Sequence, residues 1–444
     1  MKNNLLIKNG VIATFGASNR VLHGYWLLCE DGKIKKIGKP ADFQNKYDRE
    51  LDASGKVVMP GLINAHMHFY STMVRGLGKA KPSKNFREIL DNLWWRLDRK
   101  LTLDDCYYSA LLPLIDAVKH GTTTLIDHHA SPFAARGSLN RIAEAVKLSG
   151  LRASLCYELS DRDGQKVADD GIAENAEFIR RCAAEKDPQL RAMFGLHASF
   201  TINDKTLEKA SETGRDLNAG FHVHTAEAQS DQDYNVQNFG LRVVERLNKF
   251  GVLGPKSIAA HCVHVDEREM DILRQTATPV AHNPQSNMNN AVGIADIVKM
   301  NAKNMLVGLG TDAMTVNMFE ETRVALWAQH LSHNDPSVGF MEALSAPLFN
   351  NPKIANRQWE GFGLGELAEG NTADIILVDY HAPTPLDEST ILGHFCFGLS
   401  QSAVDSTIVG GRVLMENKTL QLGVDEAEIA AKALELSNKL WQRF

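Results

Sequence analysis

The chain has 444 residues and a formal charge of -6, with 44% hydrophobic and 23% charged side chains. That apolar content supports substantial cores and excludes a disordered chain, and the acidic balance argues against the clustered basic footprint of a nucleic-acid binder. The opening MKNNLLIKNG lacks the long apolar stretch of a secretory leader and no run reaches membrane-spanning length. The expectation is therefore a cytoplasmic protein with a small-molecule partner, no nucleic acid and no membrane contact.

Residues 1–58 read as short strands and turns, LLIKNGVIAT, then YWLLCEDGKIKKIG with a D-G turn, then VVMPG. They are expected to form the first part of a small β domain. Beyond them, strand-like apolar runs alternate with helix-length amphipathic stretches: KVVMPGLINAHMH, TTTLIDHH, LRASLCYEL, LRAMFGLHASF, AGFHVHTAE, KSIAAHCVHV, TPVAHNPQSN and NMLVGLGTDA. Eight such units over 59–360 predict an α/β fold of the (β/α)8 TIM-barrel type, whose chemistry sits at the C-terminal ends of the strands. Residues 361–424 return to short strands and complete the small β domain, expected as a β-sandwich. The last stretch, 425–444, reads as a docking helix with Asp425 and Glu428 as a capping pair and Ile429, Ala433, Leu436, Leu440 and Phe444 on one face. The G-x-G-x-x-A pattern at Gly363, Gly365 and Ala368 lacks the strand-turn-helix context of a dinucleotide site.

The six cysteines, Cys29, Cys106, Cys156, Cys182, Cys262 and Cys396, form no C-x-x-C pair, so zinc-knuckle and redox spacings are absent. Cys262 follows a histidine of interest, but its apolar run marks it as a strand residue rather than a nucleophile.

Side chains two apart on a strand share a face, so His66 and His68 at the end of the first run can aim at one ion. His222 and His224 repeat that spacing in the fifth run, and Asp312 ends the eighth after glycines that permit close approach. Only one of His222 and His224 need be a ligand; His224 is preferred, being nearer the strand end and three residues before Glu227. Three imidazoles and a carboxylate suit one divalent metal ion, Zn²⁺ first, with Fe²⁺ or Mn²⁺ also compatible.

The motifs MPGLINAHMH, HVHTAE, AHCVHV, HNPQSN and GLGTDA, in that order, resemble the amidohydrolase superfamily, in its cytosine deaminase and chlorohydrolase branch, nearly end to end. NLWWRLDR, IDHHASP and HNPQSNMNN resemble one aminohydrolase subgroup of that branch whose substrate is open. The resemblance implies metal ligands at His66, His68, His224 and Asp312. It implies a proton shuttle at Glu227, a water-orienting histidine at His261, a catalytic Asp312 and a substrate contact at His197, which stands where binuclear members have a bridging lysine. It leaves His264 without a role, and homo-oligomers are usual in the family.

In the expected reaction, a bound divalent ion lowers the pKa of water to about 7, Asp312 takes a proton, and Glu227 protonates a ring nitrogen and then the departing ammonia. The substrate is then an amino-substituted N-heterocycle, purine-, pterin- or triazine-like. Removal of another leaving group or opening of a cyclic amide would use the same ion, whereas a non-catalytic scaffold would have lost ligands that are all present. Further candidates for substrate contact are His128 and His129, Trp94 and Trp95 as stacking surfaces, and Arg75, with Arg99, toward an anionic substituent. Where many members of the family read H-A-P-[YF]-T this chain has Ser199 in place of the proline, and where they read H-C-P-x-S-N it has Asn283 in place of the cysteine, departures that bear on substrate identity.

Overall fold

The computed structural model describes residues 4–444. The eight barrel strands are β1 (Leu62–Met67), β2 (Thr122–Asp127), β3 (Arg152–Leu155), β4 (Phe194–Ala198), β5 (Phe221–Thr225), β6 (Ile258–His261), β7 (Val280–His282) and β8 (Val307–Leu309). They pair in parallel from β1 to β3 and from β4 to β8. Two seams close the barrel. Between β3 and β4, the short strand Leu190–Ala192 pairs with β3 and a bridge joins Leu159 to Leu196. Between β8 and β1, the Thr311 and Asp312 N–H groups donate to the His66 carbonyl at 2.9 and 3.0 Å, and the His68 N–H donates to the Asp312 carbonyl at 3.3 Å. That second seam brings together residues almost 250 positions apart, as the bridge Met67 to Asp312 records.

Two of the expected runs are each two strands. KVVMPGLINAHMH divides at Gly61: Lys56–Pro60 belongs to an outer sheet and only Leu62–Met67 enters the barrel. The turn needs glycine because a Cβ at position 61 would lie 2.2 Å from the Thr123 side chain. LRAMFGLHASF divides at Met193 into a piece paired with β3 and a piece paired with β5. Helices cover the barrel, among them Leu103–Lys119, Ser138–Ser149, Gln165–Glu185 and Met318–His333.

Both chain ends build the outer sheets. One has the strand order Lys33–Gly38, Trp26–Glu30, Asn4–Lys8, Arg49–Asp52; the other runs from Thr419–Leu420 through Ile375–Asp379 and Lys56–Pro60 to Val21–Leu22. Alternation assigns the faces of the second sheet. Val58, Ile375 and Leu377 pack with Leu5, Ile7 and Leu27 between the sheets, while Val57, Met59, Ile376 and Val378 join the barrel's core. The sheet thus welds to the barrel through every second residue.

The helix Glu426–Arg443 starts at Asp425, whose carboxylate accepts from the N–H groups of Ala427 and Glu428. It buries Ile429, Ala433, Leu436 and Leu440, and the Arg96 guanidinium lies 4.0 Å over the Phe444 ring. Among the described residues no helix is long and apolar enough to cross a membrane.

Candidate active site

The C-terminal ends of the barrel strands carry a buried histidine cluster. His66 near the end of β1 and His68 just past it point inward on one face, as the i, i+2 spacing predicts. His68 Nε2 lies 2.9 Å from Asp312 Oδ1 and 3.1 Å from His224 Nε2, and His66 Nε2 lies 3.7 Å from the same carboxylate oxygen. Ligand atoms of His66, His224, His261 and Asp312 all fall within 4.8 Å of one another. Close approach is possible because residue 310 is glycine; a Cβ there would sit 2.8 Å from the His66 backbone nitrogen. The structure therefore gathers His66, His68, His224 and Asp312 around one point.

That donor set fits a cation. Burial holds His66, His224 and His261 below the ordinary histidine value, His261 down to about 3, so all three imidazoles are neutral; His66 and His224 can each offer a lone pair to a cation, whereas the lone pair of His261, on Nδ1, accepts from Asn287. Buried His66 Nε2 and His261 Nε2 have no hydrogen-bond partner, a cost that a bound ion or substrate removes. Burial opposes the Asp312 carboxylate, but His68 and His66 hold it well below the usual range. Burial likewise opposes charge on His68, which the neighbouring Glu158 and Asp312 carboxylates outweigh, holding it well above the ordinary value.

His222 is spent elsewhere: its Nε2 meets His66 Nδ1 at 2.8 Å, and its ring stacks on His128 at 4.5 Å. This fixes the His66 ring, the supporting role usual beside metal sites, and leaves His224 as the fifth-strand imidazole facing the cluster.

Backbone strain concentrates here. Ala226, His261, Cys262 and Asp312 all have left-handed φ, between 47° and 72°, at a cost of about 1–3 kcal/mol each. The distortion turns His261 and Asp312 inward where a relaxed strand would continue straight. Burial pushes the Cys262 thiol up, so it is inert as a nucleophile.

Glu227 lies beside the cluster, with Oε2 3.5 Å from His261 Nε2 and Oε1 accepting from Asn290 Nδ2 at 3.2 Å. Burial and the Asp312 and Asp231 carboxylates push it well above the usual carboxylate value, which favours its protonated form. Asp231 accepts from the N–H groups of Glu227 and Ala228 at 3.0 and 3.2 Å, locking the turn after β5.

The segment HNPQSNMNN supplies three supports not assigned from sequence. Ser286 donates to Asp312, Asn287 Nδ2 donates to His261 Nδ1 at 2.8 Å, and Asn290 holds Glu227. The motif was visible, but the partner of each side chain lies on another strand.

A cavity opens over the cluster, lined on one wall by Phe86, Leu90, Trp94, Trp95 and Phe200 and on the others by His68, Glu158, His197, Glu227, Asn290 and Asp312. Both Trp94 and Trp95 line it. Trp95 is 6% exposed and lies between the Arg87 and Arg162 guanidinium groups, 4.5 and 5.3 Å from its ring. His197 ends β4, with Nδ1 2.9 Å from Thr201 Oγ1. His128 is fully buried within the cluster and His129 behind it, hydrogen-bonded to Ser131 Oγ at 2.9 Å, and neither lines the cavity.

Arg75 is not brought to the cavity. Its side chain is 59% exposed and pairs with Asp116 at 3.5 Å, because the chain turns outward after β1. Arg99 pairs with Asp163 at 2.6 Å. His264, whose Nε2 meets the Val292 carbonyl at 2.6 Å, stays outside the cluster. Glu158, just beyond β3, escaped the sequence reading altogether; an acid in the otherwise apolar run LRASLCYEL was the only signal.

The model of the amidohydrolase family matches residues 57–414. A 5-methylthioadenosine/S-adenosylhomocysteine deaminase of Syntrophomonas wolfei is 31% identical over 441 residues, covering 98% of this chain and 99% of the relative. A 5'-deoxyadenosine deaminase of Methanobrevibacter smithii is also 31% identical, over 99% of this chain and 98% of its own. Among solved structures, an adenosine deaminase from Xanthomonas campestris with bound zinc superposes with a TM-score of 0.85 at 22% identity, covering 98% of each chain. With the matching barrel, the strand-end cluster and full-length relatives, this chain belongs to the amidohydrolase family, as a hydrolase of C–N bonds other than peptide bonds.

Proposed function

We propose that this enzyme deaminates a 6-aminopurine nucleoside or a close amino-heterocycle, using one Zn²⁺ held by His66, His68, His224 and Asp312. The observation that carries the reading is Glu227, a buried carboxyl at the cavity wall, 3.5 Å from His261 Nε2 and beside the metal-fitting cluster. Relatives matched over their whole length are adenosine-derivative deaminases, which supports the substrate class, and the zinc of the Xanthomonas structure supports the choice of ion.

A divalent ion held by these four residues would supply a water acidified enough to attack at neutral pH. Around it the chain's own groups divide the work. With Nδ1 accepting from Asn287, His261 presents its Nε2–H toward Glu227 Oε2 and Asp312 Oδ2, 3.5 and 4.0 Å away, where it orients the attacking water. Asp312, kept ionised, accepts the water's proton. Glu227 gives its proton to the ring nitrogen next to the carbon under attack; the carboxylate so formed takes the proton of the added hydroxyl and passes it to the departing amine, which leaves as ammonia, and the proton held by Asp312 restores the acid. The aromatic wall of Phe86, Trp94, Trp95 and Phe200 takes the flat ring and keeps bulk water away.

The test is ammonia release by zinc-reconstituted protein across adenosine, 5'-deoxyadenosine, 5-methylthioadenosine, S-adenosylhomocysteine, guanine, cytosine, pterin and triazine substrates. At least one 6-aminopurine nucleoside should exceed the non-purines in kcat/KM by tenfold or more. No ammonia from any compound, with metal present, would overturn the reading.

A further inference from the structure

Glu158 has no part in the chemistry described above, yet it is 4% exposed, lines the cavity and receives no hydrogen bond from any described residue. Its Oε1 lies 3.0 Å from His68 Nδ1, but that N–H is directed at the His128 carbonyl, 2.5 Å away, so the contact is electrostatic only. Its Oε2 lies 3.8 Å from His197 Nε2. The His197 tautomer follows from its neighbour. Thr201 donates its single hydroxyl hydrogen to the Ala198 carbonyl at 3.0 Å, so its oxygen accepts from His197 Nδ1–H, and His197 Nε2 is a bare lone pair. Two acceptors, a carboxylate oxygen and an imidazole nitrogen, thus face each other across 3.8 Å at the cavity with no donor of the protein between them.

His68 balances the charge of this carboxylate, but its buried Oε1 has no hydrogen-bond donor, a deficit a ligand donor would fill, and it stands on the opposite side of the His68 ring from Asp312. We propose that Glu158 is a specificity-determining residue: with His197 it recognises a hydrogen-bond donor group of the substrate, an –NH₂ or paired N–H or O–H donors. The donor lies on the edge of the substrate that faces Glu158 and His197 and is not the atom that Glu227 protonates. A ligand presenting a bare acceptor there is rejected, because three lone pairs would then crowd one site. The inference rests on the functional reading only for which edge is meant. The donor can come from the ring or from sugar hydroxyls.

Binding tests the idea without turnover. In a zinc-loaded Glu227→Gln background, quenching of tryptophan fluorescence, Trp94 and Trp95 lining the cavity, measures Kd for two matched pairs. Guanine against hypoxanthine differ by a ring amino group; inosine against 2',3'-dideoxyinosine differ by sugar hydroxyls. With Glu158 present, the donor-bearing member of one pair should bind roughly 10- to 100-fold tighter, the scale of hydrogen bonds to a charged group. Adding Glu158→Gln should bring that pair within threefold, because the new amide N–H can itself donate to His197, while metal content and Tm stay unchanged. Collapse of the guanine pair assigns the donor to the ring, collapse of the inosine pair to the sugar. The proposal is overturned if neither pair shows a gap, if the gap survives Glu158→Gln, or if Glu158→Gln loses the metal, which would make Glu158 a support or ligand of the ion. These readouts stand even if the protein proves to deaminate nothing in the panel above, an outcome that would sink only the functional reading.

Discussion

Glu227→Gln separates binding from chemistry. The carboxyl is 5% exposed, accepts from Asn290, and is pushed up by burial and by the Asp312 and Asp231 carboxylates, which favours the neutral acid. Glutamine has the same shape and charge as that acid, and its carbonyl oxygen can keep the bond from Asn290, so fold, metal content and ligand affinity should persist. What it cannot do is exchange a proton with the ring nitrogen or the leaving ammonia. General acid and base participation contributes 10²- to 10⁴-fold, about 3–5 kcal/mol of barrier, and because one residue serves two transfers, kcat should fall at least a hundredfold. The assay is steady-state ammonia release with zinc content measured on the same sample, and Glu212→Gln, an exposed acid on the barrel's outer surface, is the control expected to match wild type. A Glu227→Gln enzyme turning over within threefold of wild type would refute the shuttle role and leave both transfers to His261 and Asp312.

His66→Ala and Asp312→Ala should each abolish metal retention and turnover together, and full zinc content with normal rates in either would show that the ion sits elsewhere. Elemental analysis should find about one zinc per chain, since β4 ends in His197, whose Nδ1 is held by Thr201, and offers no bridging lysine; two stoichiometric ions would contradict this. Burial pushes Asp231 up to about 7, so between its unfolded value near 3.8 and pH 7 the folded state binds the extra proton and stability falls as pH rises. Urea unfolding of Asp231→Asn and wild type should therefore diverge from pH 4 to 8 in favour of the variant, by up to about 4 kcal/mol; a constant difference, or one of opposite sign, would refute the raised value.

Local chemistry wrote much of this protein into its sequence. Alternating runs with histidines at their ends specify parallel strands whose active ends face one way, because side-chain direction alternates with period two and strand polarity is shared. The spacings His66-x-His68 and His224 to Glu227 are local as well, which is why they could be read without a partner in view. The C-terminal helix, with Asp425 at its start and Leu440 buried near its end, followed from periodicity alone. Contacts across strands were decided only when the barrel closed. That His222 supports His66 while His224 faces the cluster depends on how neighbouring strands are staggered; the sequence favoured His224 only by its place nearer the strand end and three residues before Glu227. Arg75 looked available, but the chain turned it outward to Asp116. Glu158 carried no motif, and its importance lies in what it does not touch, a carboxylate beside His68 and His197 without a donor of its own. Pairings inside a barrel are set by curvature, shear and strand stagger over hundreds of residues, so a linear pattern can name the side chains that point inward but not the ones they meet.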